Sequence, residues 1–158
     1  MVSVPAQRVE GSRMKYTIEH ISQGENEVIL RCAGPSPEME QLIRFLEFQN
    51  RRLLGTRDGA QILIEPAEIL YLESVEGRTF AYTENSVLQL EHSLLQLEQL
   101  LGTVNFFRCS KSVIINIDRV RELKSRANNR IDATMCNGEH IMISRTYASD
   151  FRRRLKGK

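Results

Sequence analysis

A series of short β-like segments, which occupies most of the chain after Gly55, is the feature that most constrains the fold. These segments are rich in β-branched and aromatic residues, and turn-forming sequences such as Glu76-Gly77 separate them. We predict strands at residues 61–66, 68–74, 78–83, 86–92, 106–117, 119–125, 130–136 and 139–144. Asn137-Gly138 lies between the last two segments, and this dipeptide favours a two-residue hairpin. The sequence therefore predicts a mainly β fold that is α+β overall.

The clearest helix is predicted over residues 36–54. Ser36 can cap the first turn, Pro37 suits the first helical position, and Gly55 can adopt the left-handed conformation that ends many helices. Apolar residues at helical spacing form one face, and these are Met39, Leu42, Ile43 and Leu46.

Two shorter helices are predicted in the second half of the chain. Ser93 and Gln96 have the spacing of a capping box at the start of residues 93–101, whose inward positions are Leu94, Leu97 and Leu101. Residues 146–156 are amphipathic and predict a terminal helix.

The N-terminal part differs in its residue pattern from the rest of the chain. Residues 1–13 show no hydrophobic period and contain Pro, Gly and Ser, so we predict a disordered leader. Residues 15–21 and 25–32 have β-like patterns. The predicted organisation is therefore a β-β-α extension over residues 14–55, followed by a mainly β domain over residues 56–158.

Charge is distributed unevenly along the chain although the net charge is only +2. Residues 1–103 carry 9 Lys/Arg and 15 Asp/Glu, a net charge of −6, whereas residues 104–158 carry 13 Lys/Arg and 5 Asp/Glu, a net charge of +8. Such asymmetry is compatible with a nucleic-acid partner or with a solvated basic face.

Catalytic and metal-binding patterns are absent from the sequence. It contains no GxGxxG, GxxxxGK[ST], GxSxG or HExxH motif, and its histidines, His20, His92 and His140, are far apart. We therefore expect neither catalysis nor a cofactor or metal ion.

The three cysteines, Cys32, Cys109 and Cys136, are too few and too scattered for a secreted disulfide framework. Together with the lack of a signal peptide or a long apolar stretch, this predicts a cytoplasmic protein. Arg108 and Lys111 could favour the Cys109 thiolate, but a small buried filler is the favoured interpretation.

Several basic residues are predicted at strand ends or in adjoining loops, where a rigid sheet can fix their position. They are Arg78, Arg108, Lys111 and Arg145, and Ser110 and Ser112 flank Lys111. Long cationic side chains in such places can reach phosphates or base edges in a DNA groove.

The segment FFRCSKSVIINIDRV (106–120) resembles the central signature of the LytTR family of bacterial DNA-binding domains. Residues 69–83, 93–101 and 137–155 resemble further blocks of that family in order and spacing, so the resemblance covers about residues 56–155. It implies an elongated, mostly antiparallel β fold that inserts loops into successive major grooves, without a helix-turn-helix.

The resemblance also implies roles for individual residues. Base contacts fall on Arg78, Lys111 and Arg145. Phosphate contacts fall on or beside Arg108, Ser110, Ser112 and Thr146. The scaffold positions are Phe106, Ile115 and Asn116.

The layout is similar to the stand-alone type of LytTR regulator, in which a short extension takes the place of a receiver domain. This implies a homodimer on double-stranded DNA and a small membrane protein as a partner. Two alternatives remain open from the residues: a protein-interaction module whose basic face is not a DNA site, and a less favoured RNA-binding role.

Overall fold

The computed structural model describes residues 2–7, 15–49, 51–102 and 105–157. The chain divides into two compact units, Met1–Gly34 and Pro35–Lys158. In the N-terminal unit, strand β1 (Val2–Gln7) pairs antiparallel with strand β2 (Tyr16–His20).

Two predictions for the N-terminal part are wrong. Strand β1 lies within residues 1–13, which were predicted to be disordered, while residues 8–13 lie outside the described part. Residues 25–32 form no strand, and Val28 and Ile29 are exposed there. A β-like pattern becomes a strand only beside a partner edge, and β2 takes β1 as its partner.

Helix α1 (Pro37–Gln49) begins as predicted, since the Ser36 hydroxyl accepts a hydrogen bond from the Met39 amide at 3.2 Å. It ends earlier than residue 54, because strand β3 (Leu53–Arg57) follows. Gly55 lies in β3 and does not cap the helix. A Cβ at this glycine would lie 2.8 Å from Leu88 Cβ, so the absent side chain permits close packing in the sheet.

The boundary between the compact units also differs from the predicted one. The predicted extension ends at residue 55, but helix α1 and strand β3, which crosses this boundary, group by contact with the C-terminal unit. The reason is that β3 is an interior strand of the main sheet, so the chain from Pro35 onward shares its packing.

The main sheet has seven strands in the order β4-β3-β7-β6-β5-β9-β8, and all of its neighbouring strands are antiparallel. Its further strands are β4 (Ala60–Ile64), β5 (Tyr71–Val75), β6 (Arg78–Tyr82), β7 (Val87–Leu90), β8 (Phe106–Arg108) and β9 (Val113–Asn116). Helix α2 (Leu94–Leu101) connects β7 to β8, and its Ser93–Gln96 capping box is present as predicted. The segment predicted at 106–117 is thus two strands joined by a loop.

A second sheet contains strands β10 (Val120–Arg126), β11 (Arg130–Met135) and β12 (His140–Ile143) in that order, all antiparallel. The predicted hairpin at Asn137-Gly138 joins β11 to β12, and Gly138 has a φ of 91°. The chain then forms helix α3 (Arg145–Lys156), which confirms the predicted terminal helix.

The centre of the main sheet is buried on both faces. Leu72 and Ile114 pack on one face with residues of α2, including Leu97. Their sequence neighbours on the opposite face pack with the second sheet and with Phe151 of α3. The predicted scaffold residues Phe106, Ile115 and Asn116 are buried. This packing confirms a mainly antiparallel β fold with a few helices, and it fixes the strand ends that carry the candidate site.

Candidate functional site

The loop between β8 and β9, residues 109–112, is tied by backbone hydrogen bonds to two neighbouring segments. The Ser74 amide of β5 donates to the Ser112 carbonyl at 2.8 Å. The Ser144 amide, just before α3, donates to the Cys109 carbonyl at 2.9 Å. The hairpin that carries Arg78, the loop that carries Lys111 and the start of the terminal helix therefore meet at one end of the C-terminal unit.

Strand register brings two further connections to the same end. Ile131 pairs with Ile143, so the turn between β10 and β11 lies beside the start of α3. Thr79 pairs with Leu90, so the connection from β7 to α2 lies beside Arg78. We call this end the basic end and define it by the connections at residues 76–78, 91–93, 109–112, 126–130 and 144–146.

Basic and acidic residues are concentrated at opposite ends of the strands. The connections of the basic end contain five Lys/Arg and two Asp/Glu. At the opposite end, the connections at residues 58–59, 67–69, 83–86, 117–119 and 136–139 contain one Lys/Arg and five Asp/Glu. An anionic ligand is therefore attracted to the basic end and repelled from the other.

Arg108 holds the 109–112 loop from within. Its Nε donates to the Ser110 carbonyl at 2.7 Å, its Nη2 donates to the Lys111 carbonyl, and its Nη1 donates to Glu98 Oε2 at 2.7 Å. The family resemblance implies a phosphate contact on or beside Arg108. The structure instead directs this guanidinium toward the loop backbone and toward α2, a geometry that the planar fork of arginine suits.

Short-range bonds complete the loop. The Cys109 amide donates to the Val113 carbonyl at 3.0 Å, and the Ser112 amide donates to the Ser110 hydroxyl at 3.2 Å. Cys109 is fully buried, and burial raises the pKa of its thiol to about 12. The interpretation of Cys109 as a small buried filler is therefore confirmed, because its thiol stays neutral at physiological pH.

The three residues predicted to contact bases differ from Arg108 in their environment. The side chains of Arg78, Lys111 and Arg145 are exposed, and none of these side chains forms a hydrogen bond or ion pair with any described residue. Some basic residues elsewhere have acidic partners, such as Arg119 with Glu84 at 3.6 Å. These three side chains are thus available to an external ligand.

The predicted phosphate-contacting residues lie beside these cations. Ser112 and Thr146 are exposed, and Ser110 is half-buried. Thr146 lies in the first turn of α3, where the Ser144 side chain makes no capping bond to the helix backbone. The amide groups of a helix N-terminus and its dipole favour an anion.

Glu98 and the β10–β11 turn are elements of the site that the sequence analysis did not identify. Glu98 is the one charged residue of α2, but only the packing of α2 beside β8 shows that it meets Arg108. The amino-acid composition of the turn could have pointed to it, because residues 126–130, with the sequence RANNR, contain two arginines and two asparagines.

Other kinds of site have little support in the described part of the chain. No group of three His, Cys, Asp or Glu residues is arranged there to hold a metal ion. No helix among the described residues has the length and apolarity needed to cross a membrane.

Comparisons with known proteins point in one direction. A family model described as "LytTr DNA-binding domain" matches residues 59–156. A solved LytTr DNA-binding domain from Bacillus cereus has a TM-score of 0.64 and 27% identity, and the match covers 66% of this chain and 95% of that chain.

Curated relatives carry regulatory names. "Sensory transduction protein LytT" of Bacillus cereus is 25% identical, over 95% of this chain and 56% of that protein. LytT of Enterococcus faecalis is 30% identical over 59% of this chain and 38% of that protein. "Transcriptional regulatory protein YpdB" of Escherichia coli is 27% identical over 58% of this chain and 38% of that protein. The chain thus spans about half the length, or less, of these relatives.

Proposed function

Because this chain belongs to the LytTR family of DNA-binding domains, we propose that it is a sequence-specific transcriptional regulator that reads the major groove through loops of a β scaffold. The observation that carries this proposal is the group of unpaired cations at the basic end, on segments that backbone hydrogen bonds join to one another. A duplex that meets this end encounters several cations whose spacing the sheets fix.

Within this site, Arg78, Lys111 and Arg145 are the proposed base-contacting residues. Arginine can bond guanine O6 and N7 with two donors, and lysine can reach the same acceptors. Because their side chains have no partner among the described residues, no ion pair within the described part of the chain has to break when DNA binds.

Phosphate contacts are proposed for Ser110, Ser112 and Thr146, whose hydroxyls can donate to phosphate oxygens. Arg108 receives a different role. Its donors already serve the loop and Glu98, so we assign it to holding the loop that presents Lys111.

The proposed setting follows from the same family membership. The chain acts on double-stranded DNA in the bacterial cytoplasm as an output domain of the response-regulator type, and it catalyses no reaction. A homodimer on DNA and a small membrane protein partner complete this proposal.

Fluorescence anisotropy with a duplex selected by the wild-type chain from a random pool tests the proposal. Lys111→Ala and Arg145→Ala should each cost about 1–3 kcal/mol of binding free energy and relax the preferred sequence. Arg57→Ala is the matched control, because Arg57 lies at the opposite end of the sheet and its loss should leave affinity unchanged. If both site variants bind DNA as tightly as the wild type, the base-contacting residues are misassigned.

The rival function, a protein-interaction module, has one supporting observation. Ile43 and Phe45 of α1 are exposed apolar residues, 40% and 36% accessible, which a partner could cover. Ile43→Ser with Phe45→Ser should leave DNA affinity unchanged if the chain is a DNA-binding regulator. If the variant and the wild type both fail to select a duplex, the interaction module becomes the better explanation.

A further inference from the structure

We propose that the turn between β10 and β11 is an additional DNA contact, in which Arg130, with Arg126 beside it, binds the phosphate backbone that borders the groove entered by Arg145. This inference rests on the proposed function, and it adds an element to which neither the family resemblance nor the sequence analysis assigned a role.

The position of the turn supports this proposal. Ile131 pairs with Ile143, which places Arg130 next to the strand end from which α3 begins. On the helix side, Arg152 Nη1 donates to Asn129 Oδ1 and joins the turn to α3.

This position fits the shape of DNA. The major groove of B-DNA is about 12 Å wide, and phosphate backbones form its two walls. Because Arg130 lies next to the strand end that leads into Arg145, it is close to one of these walls when Arg145 enters the groove. The Arg130 side chain is exposed there and forms no hydrogen bond or ion pair with any described residue.

The turn has a defined conformation before any ligand binds. Asn128 and Asn129 have φ values of 59° and 58°, in the left-handed region that asparagine tolerates better than most residues. Since the Arg152 bond also holds Asn129, little ordering cost remains for a ligand.

Electrostatics add a second, independent argument. Arg126 and Arg130 lie directly opposite each other in the β10–β11 ladder, and like charges in this position repel. Asp132, whose side chain is 7% exposed, accepts a hydrogen bond from Arg126 at 2.7 Å and compensates one of the two charges. Arg130 keeps an uncompensated charge, which a polyanion would neutralise.

Asp132 also fixes the position of Arg126. The hydrogen bonds from Arg126 and His140 keep the pKa of this carboxyl below its usual range, so it is ionised at neutral pH. Because Arg126 supports the fold through this bond, Arg130 is the better residue for a test.

The experiment compares Arg130→Gln with Arg121→Gln in the full chain. Arg121 is exposed near the start of the same strand, at its opposite end, so its loss should have no effect. Arg130→Gln should weaken binding to the selected duplex and to an unrelated duplex alike, by about threefold to tenfold, and should reduce the slope of log K against log salt by about 0.9. Arg130→Lys should restore most of the affinity, since a phosphate contact needs charge and not a planar fork.

Two results overturn the inference and can be told apart. If the wild type binds DNA while Arg130→Gln retains its affinity and salt slope, the turn is no contact and the proposed function stands. If the wild type binds neither duplex, the proposed function and this inference both fail.

Discussion

If Arg108 holds the 109–112 loop from within, one substitution changes the DNA affinity in the opposite direction from that expected if Arg108 contacts phosphate. Arg108 meets Glu98 at 2.7 Å and also donates to the carbonyls of Ser110 and Lys111. If Arg108 holds the loop, Glu98→Gln must weaken DNA binding, because one anchor of the guanidinium becomes neutral. If Arg108 contacts phosphate, the same change must strengthen binding, since it frees a cation and removes an anion.

The magnitude follows from the contacts. Hydrogen bonds to charged groups contribute about 1.5–3 kcal/mol, and a glutamine oxygen retains part of this as a neutral acceptor. The Arg108 and Glu98 side chains are 21% and 36% exposed, so solvent screening lowers the loss for Glu98→Gln to about 0.5–1 kcal/mol. A less populated binding-competent loop lowers the apparent affinity by at most the same factor, which is up to about fivefold.

Arg108→Lys provides a larger effect in the same direction. A lysine ammonium cannot span two carbonyls and a carboxylate in the geometry of the guanidinium, so two neutral-acceptor bonds are lost at about 0.5–1.5 kcal/mol each. Lysine binds phosphate well, however, and would preserve affinity if Arg108 contacted DNA directly.

Anisotropy titrations of these variants against the selected duplex, at several salt concentrations, decide between the roles. Glu91→Gln is the matched control, because Glu91 is an exposed acid at the basic end with no bonding partner among the described residues. The expected result is weaker binding for Glu98→Gln and Arg108→Lys at an unchanged salt slope, and unchanged or tighter binding for Glu91→Gln. Tighter binding by Glu98→Gln would refute the reasoning.

Three further predictions concern the scaffold. Cys109, whose thiol pKa burial raises to about 12, should resist a thiol reagent at pH 8 until urea unfolds the chain, whereas the exposed Cys136 should react at once; equal rates would contradict the buried position. Gly55→Ala should destabilise the chain by about 1–3 kcal/mol in urea denaturation, because its Cβ would lie 2.8 Å from a side chain. Gly34→Ala, whose Cβ meets nothing within 4 Å, should be neutral. The lowered pKa of Asp132 stabilises the fold above the unfolded value of about 3.9, and this contribution is lost as the pH falls through the folded pKa. Stability measured from pH 6 to pH 3 should therefore fall more steeply for the wild type than for Asp132→Asn.

Local signals in the sequence identified several elements correctly. The Ser93–Gln96 capping box, the Asn137-Gly138 hairpin and the start of α1 at Ser36 are present where the residues predicted them. Each depends on bonds between residues close in sequence, so composition and spacing carry the necessary information.

The errors arose where the outcome depends on distant residues. Gly55 is of the residue type that commonly ends a helix, but it lies in a strand, where it packs closely against Leu88 of β7. Residues 25–32 have a strand pattern but no partner strand in the part of the chain that the structure describes. The neighbours that decide between helix, strand and loop were too far away in sequence to be visible.

The sequence by itself determined the mainly β class, the family resemblance and the basic residues that are candidates for DNA contact. It could do so because these depend on residue types, their periodicity and the spacing of motifs. Only the tertiary structure distinguished Arg108, which Glu98 and the loop carbonyls hold, from Lys111, whose side chain has no partner among the described residues. It also brought the β10–β11 turn to the basic end, because strand register and hydrogen bonds between distant segments decide which charges meet each other and which remain for a ligand.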